Sequence, residues 1–78
     1  MAAKRDTVVY ELYDNGKKVY IGITDDSARR REEHKQDKKF DRMKIVTRKR
    51  TKESALKEEK RRIETYKKAT GKLPRYNK

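Results

Sequence analysis

The tripeptide Asp14-Asn15-Gly16 separates two runs of β-forming residues, and no other feature of the sequence constrains the fold as much. Thr7-Val8-Val9-Tyr10-Glu11-Leu12-Tyr13 lies on one side and Lys17-Lys18-Val19-Tyr20-Ile21-Gly22-Ile23-Thr24 on the other. Both are rich in β-branched and aromatic side chains, which suit a pleated, half-buried surface. Asn-Gly accepts positive φ, so the two runs predict a β-hairpin. Loop length then decides which side chains share a face. A two-residue Asn15-Gly16 turn would pair Tyr10 with Ile21 and place Tyr10 and Tyr20 on opposite faces. A three-residue loop, with Gly16 left-handed in a bulge, would pair Tyr10 with Tyr20 on one face. The three-residue loop is the expectation carried forward.

Downstream, Asp25-Asp26-Ser27 is capping chemistry and predicts a helix to about Gln36 or Asp37. Ala28 is nearly alone as its apolar residue, so arginine and lysine stems lying on the sheet would have to hold it. Phe40 to Val46 contains a third strand centred on Met43-Lys44-Ile45-Val46. Thr51 or Ser54 caps a longer helix that runs to about Ala69, and Gly71 and Pro74 stop it. A tail, Leu73 to Lys78, carries two apolar anchors that could pack back. The whole chain, residues 1–78, reads as one α+β domain in the order β-hairpin, α, β, α.

Charged residues make up 49% of the chain, a level at which disorder is a serious alternative. Scarce proline and glycine and the periodic apolar segments argue for folding instead. The basic excess is uneven: residues 1–40 are net +2 and residues 41–78 net +10. Such a field suits nucleic-acid phosphates, which release counterions when neutralised. A membrane surface is the weaker partner, because no helix has a bulky apolar face to insert. With no cysteine, disulfides and thiolate zinc sites are excluded. No apolar signal region precedes the first strand and nothing approaches a membrane-spanning length, so an intracellular protein is expected.

Three groups could carry chemistry. On the second helix, at about 100° per residue, Ala55, Leu56, Ile63 and Tyr66 fall on one arc. Glu59 projects into the middle of that arc, about 40° from Ala55 and from Ile63, whereas Glu58 points away. A carboxylate on an apolar face either pairs with a nearby arginine or binds a metal. Arg30 and His34, four apart, share a face of the first helix and could hold a phosphate and move a proton; equally, they could be ordinary surface residues. Tyr10 and Tyr20 could simply be a cross-strand aromatic pair. A tyrosine acts as a general base only where neighbouring cations lower its pKa from about 10.

The order and spacing of these residues resemble the GIY-YIG nuclease family over residues 7 to 78. Val8-Val9-Tyr10, Tyr20-Ile21-Gly22, Arg30, His34, Glu59 and Asn77 carry the resemblance. In that family's later helix the metal-binding glutamate lies four after an alanine and four before an isoleucine or leucine, which selects Glu59 over Glu58. Two departures stand out: the first motif reads Val-Val-Tyr, and the domain is short with no second domain. The resemblance implies a three-stranded antiparallel sheet flanked by helices and a divalent-metal-dependent endonuclease, with DNA the expected substrate. Glu59 would hold Mg2+ or Mn2+, completed by waters and phosphate oxygens. Tyr10 or Tyr20, helped by His34, would take a proton from the attacking water, and Arg30 would stabilise the phosphate. Gly22, Arg29 and Asn77 would be substrate-binding, Asn77 by orienting a ligand or phosphate. A homodimer or a partner protein could supply specificity. The alternative is a non-catalytic, basic nucleic-acid-binding module with the same fold, although such a binder has no need of an acidic group among phosphates.

Overall fold

A computed structural model describes residues 5–77. Five elements follow in order: β1 (Val8–Asp14), β2 (Lys17–Thr24), α1 (Ser27–Asp37), β3 (Arg42–Ile45) and α2 (Lys52–Thr70). The strands form one antiparallel sheet in the order β2-β1-β3. The fold is therefore the α+β arrangement of hairpin, helix, strand and helix that the sequence predicts. β1 takes the centre because it can bury both faces: Val9, Tyr10, Glu11 and Leu12 are all buried. β3 is a short edge strand with exposed Arg42 and Lys44, which protects the edge from pairing with another chain.

The hairpin turn corrects the sequence expectation. Asn15 and Gly16 both have positive φ, 54° and 80°, and Asp14 pairs with Lys17, so the loop has two residues, not three. These angles suit a type I′ turn, whose twist matches that of the flanking strands. A bulge then changes the register. Tyr13 faces Lys18 but Leu12 faces Tyr20, which leaves Val19 as the extra residue. Tyr10 consequently lies opposite Gly22, neither Tyr20 nor Ile21. Because one inserted residue flips side-chain direction, Tyr10 and Tyr20 still share a face, as diagonal neighbours.

Two cores follow from this alternation. Val9 and Ile21 meet Ala55 of α2, with Ile23, Val46 and Ile63 packed around them. On the other face Tyr10, Leu12 and Val19 are buried against Tyr20, Phe40, Met43 and Tyr76. Glu11 is also buried, on the α2 side, where Tyr13, Lys18 and Arg62 satisfy its carboxylate. Of the predicted apolar arc on α2, Ala55 is buried and Ile63 half-buried, but Leu56 at the arc's margin is 45% exposed.

The caps are those of the sequence reading. Asp26 accepts from Arg29 N at the start of α1. Thr51, not Ser54, caps α2, accepting from Ser54 N at 3.1 Å. Left-handed Gly71 closes α2, its N–H donating to Lys67 O. The tail packs back through Pro74 and Tyr76; Leu73 remains 38% exposed, and Lys78 lies outside the described residues. Tyr76 N donates to Val19 O at 2.9 Å, and the Asn77 amide spans the Ile21 peptide. Ile21 N donates to Asn77 Oδ1 at 2.8 Å and Asn77 Nδ2 donates to Ile21 O at 2.9 Å. The tail thus continues the ladder along the outer edge of β2. No helix among the described residues is long and apolar enough to cross a membrane.

Candidate active site

Tyr10, Tyr20 and His34 form a cluster where α1 crosses the sheet. Tyr10 and Tyr20 ring centroids are 6.0 Å apart, and His34 lies 5.7 Å from the first and 5.1 Å from the second. The Tyr10 hydroxyl and His34 Nε2 are 2.6 Å apart. The sequence places Tyr10 there by strand alternation and Tyr20 by the Val19 bulge. His34 is the one buried residue of α1, so it is the helix's anchor and not a surface histidine. The expected cationic stems add to it: Lys38 stands 5.0 Å over the Tyr20 ring and 5.9 Å over Tyr76. The motif spacing does not select Lys38, the extended residue that caps the C-terminus of α1, its N–H donating to His34 O.

Gly22 makes the cluster possible. A Cβ there would sit 2.6 Å from Tyr20 Cε2 and 2.7 Å from the Tyr10 hydroxyl. The glycine therefore serves the close approach of two phenols across an edge strand. This packing role stands where substrate binding was expected.

The electrostatics also depart from expectation. A Tyr10 base requires a lowered pKa, but burial, together with the neighbouring Tyr20 phenol, pushes Tyr10 far above its ordinary value. Arg30 opposes that shift and Glu59 adds to it, so both charges are felt at this hydroxyl. Tyr10 is 1% exposed and is a neutral phenol. Burial, then the positive charge of Lys38, lowers His34 below the ordinary 6.5, and Arg30 acts in the same direction; Asp37 and Glu33 pull the other way. The imidazole is accordingly neutral near neutral pH. Nδ1 lies 3.9 Å from Asp37 Oδ1, which favours a proton on Nδ1 and leaves Nε2 to accept from Tyr10.

Arg30 is half-buried beside the cluster, and its Nε is a buried donor with no acceptor. A guanidinium contact with Glu33 at 3.8 Å is its one ion pair among the described residues. Arg29 is not part of the cluster: it is exposed and lies near Asp25 and Glu33. Asn77 is engaged with the Ile21 peptide through both ends of its amide, so it braces β2.

Glu59 approaches from α2, packed on the opposite face, and makes no hydrogen-bond contact with the tyrosines. Its charge still reaches Tyr10. Three glutamates on or near α2 contrast sharply. Glu11 is paired with Lys18 and Arg62, and burial, which raises its pKa, is outweighed by hydrogen bonds from Tyr13 and Lys18 that lower it. Glu58 is clamped by Arg61 and Arg62. Glu59 has no ion-pair partner among the described residues, and burial raises its pKa. It lines a recess of about 500 Å3 with Leu56, Ile63 and Leu73 and with Lys60 and Lys67, neither of which pairs with it among the described residues. No three His, Cys, Asp or Glu residues gather to hold a metal among the described residues. A lone, uncompensated carboxylate fits a hard cation that takes most of its ligands from water and phosphate.

No family model, curated protein or solved structure matches the chain.

Proposed function

We propose that the chain is a metal-dependent endonuclease of the GIY-YIG type, acting on DNA phosphodiester bonds. One observation carries the reading: in a chain with 25 lysines and arginines, the Glu59 carboxylate alone among its half-buried neighbours is left uncompensated, within electrostatic reach of the Tyr10–His34 pair. A non-catalytic binder gains nothing from that charge.

In this reading Tyr20, the half-exposed phenol, meets the attacking water, because Tyr10 is sealed behind it. As water loses a proton to Tyr20, Tyr20 passes its own to Tyr10, whose ring lies beside it with centroids 6.0 Å apart, and Tyr10 passes its own to His34 Nε2. Each phenol stays neutral, which suits Tyr10's raised pKa, and the charge ends on the imidazole. The half-exposed Arg30 guanidinium donates to a non-bridging phosphate oxygen and stabilises the charge that grows there. Mg2+ or Mn2+ held by Glu59 would supply charge neutralisation at the phosphate.

The test is incubation with branched, single-stranded and duplex DNA, with and without magnesium, alongside Glu59→Ala. The expected result is that the variant loses cleavage and keeps or improves binding. A wild type that binds but never cuts with any metal would leave only the binding module. Equal cutting by both proteins would mean that Glu59 is not the metal ligand.

A further inference from the structure

A second basic recess lies between the end of β3 and the first turns of α2, with a volume of about 640 Å3. Thr47, Arg48, Lys49, Arg50, Ser54 and Arg61 are on its walls. Arg61 is committed to Glu58, but Arg48, Lys49 and Arg50 form no ion pair among the described residues. Three cations in succession are thus left without a carboxylate on one wall of the recess.

Arg50 is the best-defined of them. Its backbone is fixed by reciprocal hydrogen bonds with Thr7, N to O at 2.7 Å and O from N at 2.9 Å. Its Nη1 donates to Ser54 Oγ at 3.3 Å, while its Nε is buried with no acceptor. The Ser54 contact holds the rest of the guanidinium at the recess wall, where a fork of N–H donors is suited to an anion. The start of α2 adds to this field. Thr51 takes the N–H groups of Ser54 and Ala55, which leaves those of Lys52 and Glu53 for a ligand.

The recess is distinct from the tyrosine cluster. It lies on the β3 side of the sheet, whereas Gly22 and Tyr20 are on β2, two strand spacings or about 10 Å away. On α2 it uses the Ser54–Glu58 face, not the Ala55–Glu59–Ile63 face.

We infer that this recess is a second phosphate-binding site, which holds the backbone of a nucleic-acid strand away from the bond that is cut. The inference rests on the nucleic-acid reading above but not on catalysis. A row of forked and flexible cations matches a row of phosphates, where one free phosphate would use a single arginine.

The test uses the full chain and fluorescence anisotropy with a duplex DNA over a salt series. Arg48→Gln/Arg50→Gln and the exposed single variant Lys49→Gln are compared with wild type and Arg30→Gln, with thermal melts to check folding. Each lost phosphate contact should reduce the slope of log Kd against log salt by about 0.9, so the double variant should lose roughly 2 and Lys49→Gln roughly 1. Cleavage at saturating DNA should be unchanged in both. Wild-type slopes in both recess variants, with DNA still bound, would overturn the inference and leave the nuclease reading intact. A wild type that binds without cutting, with slopes reduced as expected, would sink the nuclease reading alone. Displacement of DNA by poly-glutamate at equal charge concentration would make the recess a site for acidic peptides and would also overturn it.

Discussion

Glu59→Gln keeps the shape of the side chain and removes its charge, so it separates the energetic role of Glu59 from its chemical one. The carboxylate is half-buried, has no cation partner among the described residues, and has its pKa raised by burial. A fully buried polar group left unsatisfied costs about 1–3 kcal/mol, and more when charged. Partial exposure and solvent screening reduce that, leaving about 1 kcal/mol as the charge's penalty. For a domain this size, Glu59→Gln should raise the thermal midpoint by about 4–8 °C. The sign follows from linkage: a raised folded pKa gives stability that is present below the unfolded value of 4.5 and is lost as pH rises through the folded one. The gap between the two proteins should therefore be open at about pH 7 and close by about pH 4. Magnesium supplies the second readout. It should raise the wild-type midpoint by binding the folded state and leave Glu59→Gln unmoved. Calorimetric melts at both pH values, with and without magnesium, decide the matter. A lower midpoint in Glu59→Gln would mean that the carboxylate has a structural partner, and equal magnesium shifts would place the metal elsewhere.

Gly22→Ala should destabilise the protein by about 1–3 kcal/mol through overpacking, because the buried Tyr10 ring cannot retreat from the new Cβ. Chemical denaturation measures this, and cleavage should fall with it. Asn77→Ala should lower stability by about 1 kcal/mol by stripping two hydrogen bonds from the Ile21 peptide, while leaving the salt slope of DNA binding unchanged. A changed slope would restore Asn77 as a phosphate contact. Wild-type cleavage should fall as pH drops below the ordinary imidazole value of 6.5, since protonated His34 cannot accept from Tyr10. Stability should also decline over that window, because the unfolded chain binds a proton there that folded His34 resists. In His34→Gln the contribution to both declines should vanish, as pH profiles of rate and melting would show.

Much of this fold is legible without coordinates because the relevant signals are local. Asn15-Gly16 requires positive φ, Thr51 and Asp26 cap, Gly71 stops a helix, and alternation divides the hairpin into two faces. His34 shows where local reading fails. An α1 with little apolar surface gives no hint which polar residue is buried, and only the tyrosines across the gap decide it.

The bulge and the glutamates fail for a deeper reason. Valine has the same preference for extended backbone whether it pairs in a ladder or is squeezed out of one, so nothing in residues 17–24 marks Val19 as the extra residue. A longer loop is one way to bring the tyrosines to one face; the chain instead keeps the tighter turn and inserts the residue within β2, where Val19 can also be buried and accept from Tyr76. Periodicity likewise places Glu59 on the apolar arc but is silent on its partners. In so basic a chain an arginine salt bridge was the natural expectation, and it is met at Glu11 and Glu58, which together occupy Arg61, Arg62 and Lys18. Those pairings turn Arg61, Arg62 and Lys18 away from Glu59, while Lys60 and Lys67, which line its recess, form no ion pair among the described residues. Glu59 is consequently the half-buried carboxylate of α2 left without an ion-pair partner among the described residues.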